Sequence, residues 1–184
     1  MAQSYVFSTI VPISPEQFHH EVMITKDFDA YLFEKLDIGT TKELSSNTDP
    51  TTNKVTRVVH VTPNLNKVPD SLISSAKWLL GVDEISYDTT QVKDAQAKNG
   101  VWTTTFSNNV KGIPNLHLSG YFEISPERSG IESKLTMTCF VTLNNYTILQ
   151  PIATYIMSKI VEQTINDIAR IVPDFYKQKT KTLE

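Results

Sequence analysis

The chain has 184 residues, of which 40% are hydrophobic and 20% charged, and its formal net charge is −3 at pH 7. That balance excludes a disordered chain, and the length suits one domain, residues 1–184, with a core of its own. Lys and Arg are scattered rather than grouped, so nucleic acid is excluded as the expected partner, and a single cysteine, Cys139, excludes an internal disulfide.

No run approaches the roughly 18–20 apolar residues of a membrane span. Residues 148–157 come nearest, and Gln150, Pro151 and Thr154 interrupt them. The first ten residues lack a basic stretch followed by an apolar one, so no secretory signal is expected and the chain reads as cytoplasmic. Asn145-Tyr146-Thr147 matches a glycosylation sequon, which such a location leaves unused.

Segment 4–12 is rich in β-branched and aromatic residues and reads as a first strand. Ser14-Pro15-Glu16-Gln17 follows. Serine suits the N-cap, proline the first helical position, and Gln17 the third, so a short helix is expected to about Ile24. A second short helix is expected from Asp27, with Phe28, Tyr31, Leu32 and Leu36 on one face and Gly39 at its end. From Thr40 the texture is that of strands. The turn 47–53 joins two of them, and 54–62 alternates with Val55, Arg57, Val59 and Val61 on one face.

Segment 63–80 is bounded by Pro63 and Pro69 and carries a short apolar helix. With Leu72, Ile73, Trp78 and Leu79 it reads either as core packed on the sheet or as a lid making transient membrane contact. Strands resume at 82–96. Asn99-Gly100 is a hairpin signal, because both residues tolerate positive φ. Trp102 and Phe106 share one side of 101–108. Leu116, Leu118, Phe122 and Ile124 alternate with polar neighbours. Ile131, Leu135, Met137, Cys139, Val141 and Leu143 then form the apolar face of a last strand whose other face is polar. Pro151 opens a long helix with Ile152, Ile156, Ile160, Ile165, Ile168 and Val172 at helical spacing. Proline after Val172 is expected to end or kink it, which gives about 33 Å of helix. Residues 173–184, with Lys177, Lys179 and Lys181, read as a solvated tail.

The apolar strand faces and the helix stripe must bury one another. The fold class is therefore α+β: a curved antiparallel sheet of about seven strands wraps a long C-terminal helix, with two short helices after the first strand. That order, and the turns in 110–120 and 125–130 leading into the long helix, resemble the START-like, helix-grip superfamily (polyketide cyclases, lipid-transfer domains, the birch-pollen-allergen family). The resemblance is nearest to uncharacterised START-like families and to VASt-type lipid-binding domains. It implies an internal pocket for a lipid, sterol-like or other hydrophobic small molecule between sheet and helix. The pocket would be lined by Trp102, Phe106, Leu118, Phe122, Leu135, Met137, Ile152, Ile156 and Ile160, with Arg57 and Tyr87 as orienting polar groups.

Arg57 on an apolar face needs a partner. That partner is a ligand head group, an internal acid, or water at the sheet's end. Tyr87 offers a hydroxyl to a ligand or to an ordinary structural partner. His60 and His117 fall on polar faces. His19 and His20 diverge by about 100° on a helix, too far apart to ligate one metal. No metal-site spacing or cofactor motif is present. Two other functions remain open beside hydrophobic-ligand carriage. One is a cyclase- or dehydratase-type enzyme using Tyr87 with Glu84 or His60. The other is a protein-interaction domain with a filled core and Trp78-Leu79-Leu80 as partner surface.

Overall fold

The structure, a computed structural model, describes residues 3–64, 86–110, 116–143 and 150–181, with the backbone alone at 3, 110, 116, 143, 150–161 and 180–181. Seven strands form one antiparallel sheet in the order β1-β7-β6-β5-β4-β3-β2. They are β1 (Gln3–Val11), β2 (Gly39–Thr48), β3 (Val55–Pro63), β4 (Tyr87–Lys93), β5 (Trp102–Val110), β6 (Leu116–Glu127) and β7 (Glu132–Leu143). Between β1 and β2 lie a short helical segment, α1 (Pro15–Gln17), continued by a π-helical turn over Phe18–Val22, and a second helix, α2 (Lys26–Leu36). The C-terminal helix, α3, runs from Gln150 to Lys181. This is the helix-grip α+β architecture expected from the element order.

The local signals explain most boundaries. Ser14 caps α1, its hydroxyl accepting from the Gln17 N–H at 3.3 Å. Thr25 does the same for α2, accepting from the Phe28 N–H at 3.3 Å, with Asp27 and Asp29 in the positive first turn. At the Asn99-Gly100 hairpin both residues have positive φ, 52° and 77°, as a tight turn of that hand requires.

Three boundaries differ from the sequence reading. The second helix ends at Leu36, with Asp37 in the left-handed cap position. Gly39 instead opens β2, where its φ of 136° and a Thr62 carbonyl 2.2 Å from any added Cβ exclude a side chain. Pro63 does not begin an insertion but closes β3, paired with Gly39.

The largest difference is at Pro173, where α3 continues rather than ending. An interior proline costs about 3 kcal/mol. Here Val172 is fully buried and Phe175 nearly so, each contributing about 1.5–3 kcal/mol by burial. Beyond the proline, the Gln17 Nε2 donates to the Tyr176 hydroxyl at 2.8 Å, and Lys179 Nζ meets Glu21 at 2.9 Å. Residues 173–181 therefore form a docked helical end rather than a fraying tail.

The core joins Phe18, Val22 and Phe28 from the short helices to Ile165, Ile168, Val172 and Phe175 of α3. Val11, Ile124 and Leu135 from the sheet complete it. α3 lies along β1 and β7 and touches α2.

Candidate functional site

Strand register lays out the inner face of the sheet as rows. One row runs Arg57, Gln91, Phe106, Gly120, Cys139, Tyr5 across β3-β4-β5-β6-β7-β1. The next runs Lys93, Thr104, Phe122, Met137, Phe7. A third runs Val59, Thr89, Asn108, Leu118, Val141. The floor therefore has two halves. β6 and β7 present Leu118, Phe122, Ile124, Leu135, Met137 and Cys139, whereas β4 and β5 interleave Thr89, Gln91, Lys93, Thr104 and Asn108 with aromatic residues.

The apolar half is tightly packed. Ile124 and Leu135 are inaccessible, and Phe106, Leu118 and Met137 are buried. The Phe106 ring lies over Gly120, where an added Cβ would come 2.7 Å from the ring and 2.1 Å from the Thr138 carbonyl. It also meets Phe122, with ring centroids 5.4 Å apart. Yet Phe122, Trp102 and Tyr87, all on the inner face, are only half-buried, so the floor is not sealed at these positions.

Arg57 is 3% exposed, and both of its observed ion pairs are internal. Its Nε meets Glu43 Oε2 of β2 at 2.7 Å, and its Nη1 meets Asp29 Oδ2 of α2 at 2.5 Å. The partner is thus an internal acid pair, and the guanidinium is compensated without a ligand head group. Burial raises the Asp29 carboxyl above its ordinary value, against the pull of Arg57. Tyr87 faces inward, and burial raises its hydroxyl above the usual phenol value. His60 points to the other face of the sheet, with Nδ1 2.6 Å from Asp88 Oδ1. His60 and Tyr87 therefore cannot serve one acid–base site. Glu84 lies outside the described residues. His117 is exposed.

His19, which the sequence pairs with His20 on a short helix, has a different setting in the fold. It is inaccessible to solvent and stacks on Trp102, with ring centroids 4.2 Å apart. Its Nε2 lies 2.8 Å from the Asp94 carbonyl oxygen, so it is the protonated nitrogen and donates. Nδ1 is then a buried acceptor, with no partner among the described residues. Burial, helped by the nearby Lys93 ammonium, pushes this imidazole down to about 4. Lys93 Nζ donates to the His19 and Met23 carbonyls, each at 3.3 Å, closing the C-terminal end of the π turn. Burial lowers its pKa as well.

Two further polar atoms are buried without a partner among the described residues, Gln91 Oε1 and Thr104 Oγ1. Both belong to the inner face. Leaving such a group unpaired costs about 1–3 kcal/mol. The sequence signal for them was the strand alternation itself, since Thr104 shares parity with Trp102 and Phe106, and Gln91 with Tyr87.

Of the remaining expected residues, the side chains of Ile152, Ile156 and Ile160 lie outside the described residues. So do Leu72, Ile73, Trp78 and Leu79 of the expected lid. A cleft of about 430 Å³ on the outer side of α2 and α3 is lined by Tyr31, Lys35, Arg170 and Asp174 among others. None of the expected lining residues borders it. Among the described residues no group of His, Cys, Asp and Glu could hold a metal ion, and no helix is long and apolar enough to cross a membrane. Cys139 is buried, and its thiol is pushed up to about 11.

No family model matches the sequence, and no curated protein matches it. Solved structures do match over nearly the whole chain. A structure of Ara h 8.0201 is similar with a TM-score of 0.58 and 12% identity, covering 95% of this chain and 99% of its own. A START superfamily protein from Mycobacterium smegmatis is similar at a TM-score of 0.55 and 10% identity, covering 98% and 99%. Norcoclaurine synthase from Thalictrum flavum, in complex with dopamine and hydroxybenzaldehyde, is similar at 0.54 and 7% identity, covering 95% and 88%. At such low identity the likeness is one of fold. The chain has the START-like helix-grip fold of these structures.

Proposed function

We propose that the chain, acting as a single domain, binds a hydrophobic small molecule of lipid or sterol-like kind between the inner face of its sheet and α3. The observation that carries this reading is the half-burial of Phe122, Trp102 and Tyr87 on an inner face where Ile124 and Leu135 are inaccessible and Phe106, Leu118 and Met137 are buried. An inner face filled by its own helix would cover a central-strand phenylalanine as fully as its neighbours. Large half-buried aromatics with a few polar groups beside them are the surface an apolar ligand covers. Norcoclaurine synthase, which shares the fold, is seen in complex with two small molecules, dopamine and hydroxybenzaldehyde, and this supports small-molecule binding by the fold. The reading places no weight on residues 65–80, which lie outside the described residues.

The test is fluorescence titration with the neutral apolar probe N-phenyl-1-naphthylamine, together with native mass spectrometry of freshly purified protein. The expected result is saturable uptake of one probe, displaced by lipid extract. Phe122→Trp, which adds volume at the half-buried position, should weaken uptake about fivefold or more while the thermal transition stays cooperative. No saturable uptake, together with a ligand-free mass after incubation with liposomes, would overturn the proposal.

A further inference from the structure

The two halves of the floor make different demands on a ligand, and from them we infer that the inner face selects an uncharged amphiphile. Such a molecule has a long apolar body and one hydroxyl-type head held by Gln91 and Thr104. Carboxylate- and phosphate-headed lipids would be disfavoured. The inference deepens the proposed function and rests on it.

Gln91 and Thr104 sit on adjacent strands one row apart, since Gln91 pairs with Phe106 and Lys93 with Thr104. Diagonal neighbours of this kind have Cα atoms about 7–8 Å apart, a span that one hydroxyl between the two side chains can bridge. Thr104 is 1% exposed and its Oγ1 has no partner among the described residues, nor has the buried Gln91 Oε1. A ligand hydroxyl donates to Gln91 Oε1 and accepts from the Thr104 hydroxyl. An amide and a hydroxyl are neutral groups, and a neutral hydroxyl exchanges its water contacts for theirs without stripping a full charge. Phe106, Phe122 and Met137 lie beside the pair in the same two rows, so the polar head meets β4-β5 while the body covers β5-β6-β7.

The charged groups nearby argue against an anionic head. Arg57, the cross-strand neighbour of Gln91, already carries two carboxylates at 2.7 and 2.5 Å. A third anion there would face Asp29 and Glu43 as well as the guanidinium. Lys93, the cross-strand neighbour of Thr104, directs its ammonium to the His19 and Met23 carbonyls. Arg57 is therefore already neutralised, and two of the three Lys93 N–H groups are taken by backbone carbonyls.

The experiment compares 1-hexadecanol with palmitate, equal in chain length, as competitors of N-phenyl-1-naphthylamine at pH 7.5. The unmodified protein is tested beside Thr104→Val and Gln91→Leu, each checked for a cooperative thermal transition. The expected result is that the alcohol binds at least tenfold more tightly than the acid. Each substitution should lower alcohol affinity about tenfold and narrow the gap between alcohol and acid. Palmitate binding as tightly as the alcohol on the unmodified protein would overturn the neutral-head inference while leaving hydrophobic-ligand binding intact. Unchanged alcohol affinity in both folded variants would overturn the assignment to Gln91 and Thr104. A protein that takes up neither the probe nor the alcohol would overturn the proposed function itself.

Discussion

The β6-β7 half of the inner face and the β3-β5 half belong to one sheet and one hydrogen-bonded ladder, yet their side chains answer to different requirements. On β6 and β7 every second residue from Leu118 to Ile124 and from Ser133 to Val141 faces inward, and almost all of them are apolar or glycine. Ser133, the exception, is spent locally, its hydroxyl donating to the Ile13 carbonyl at 2.6 Å. On β3 to β5 the inward positions are Arg57, Thr89, Gln91, Lys93 and Thr104 as often as they are Val59 or Phe106. A fold needs the first half, because burial there holds the sheet to α3. Nothing about stability calls for Gln91 and Thr104, whose buried oxygens lack partners among the described residues. Polar groups kept at a cost to stability are expected where a protein acts on something else.

The contrast can be broken most forcefully at Arg57. Arg57→Ala leaves Asp29 and Glu43 facing each other without a cation, and about 3 kcal/mol of destabilisation is expected in urea unfolding. Adding Asp29→Asn and Glu43→Gln should restore much of it. Stability within 1 kcal/mol of the parent for the single variant would mean the ion triad is not what holds α2 to β2 and β3. In the apolar half, Leu135→Ala should cost about 2–5 kcal/mol, since Leu135 is inaccessible and its deletion leaves a cavity. Gly120→Ala should cost about 1–3 kcal/mol by overpacking, because its Cβ would meet both the Phe106 ring and the Thr138 carbonyl. The second contact is with backbone and cannot be relieved by a rotamer change. A neutral effect there would show that β6 and β7 separate more readily than their register implies.

His19 closes one edge of the polar half and makes stability depend on pH. Its imidazole pKa is lowered from 6.5 to about 4 in the folded chain. The folded state therefore binds fewer protons than the unfolded state between these values. The stability it contributes is fully present above pH 6.5 and is lost as pH falls towards 4. Urea midpoints at pH 7.5 and 4.5 should differ more in the parent than in His19→Phe, which keeps a ring against Trp102 and removes the titration. Equal differences in the two proteins would assign the acid sensitivity to carboxylates instead.

Strand alternation and turn residues made the architecture legible. Arg57, Val59 and Val61 share the inner face as their parity requires, and Asn99-Gly100 forms the turn its chemistry demands. What stayed hidden depended on distance in the chain. Arg57 visibly needed a partner, but choosing Asp29 required the docking of α2 over β3. Glu43 was more accessible to reasoning, because the 47–53 turn sets it near Val59 across the hairpin. The helical spacing of His19 and His20 shows that their side chains diverge, but burial of His19 comes from Trp102 and the Asp94 carbonyl, both more than seventy residues away. Pro173 misled for a related reason. Its local rule is sound, but the rule was outweighed by the packing of Phe175 and by the partners that Tyr176 and Lys179 find near the N-terminus of the chain. Thr104 and Gln91 were legible by parity, but nothing local marks a threonine in a strand as unpaired.

Thr104→Val is the smallest of the expected effects on stability and the most informative about the contrast. The two side chains are nearly equal in shape, so the exchange removes a hydroxyl and little else. If that hydroxyl has no partner in the unliganded chain, its loss lifts a desolvation penalty, and the variant should be as stable as the parent or more stable by up to about 1 kcal/mol. A core threonine satisfied within the fold would behave oppositely, losing about 1 kcal/mol with its hydrogen bond. Matched urea unfolding curves with unchanged slopes separate the two cases. A stabilised variant that has lost affinity for a hydroxylated ligand would place Thr104 among the residues kept for binding. A destabilised one would move it to the structural half of the sheet, and the division of the inner face would then fall between β4 and β5.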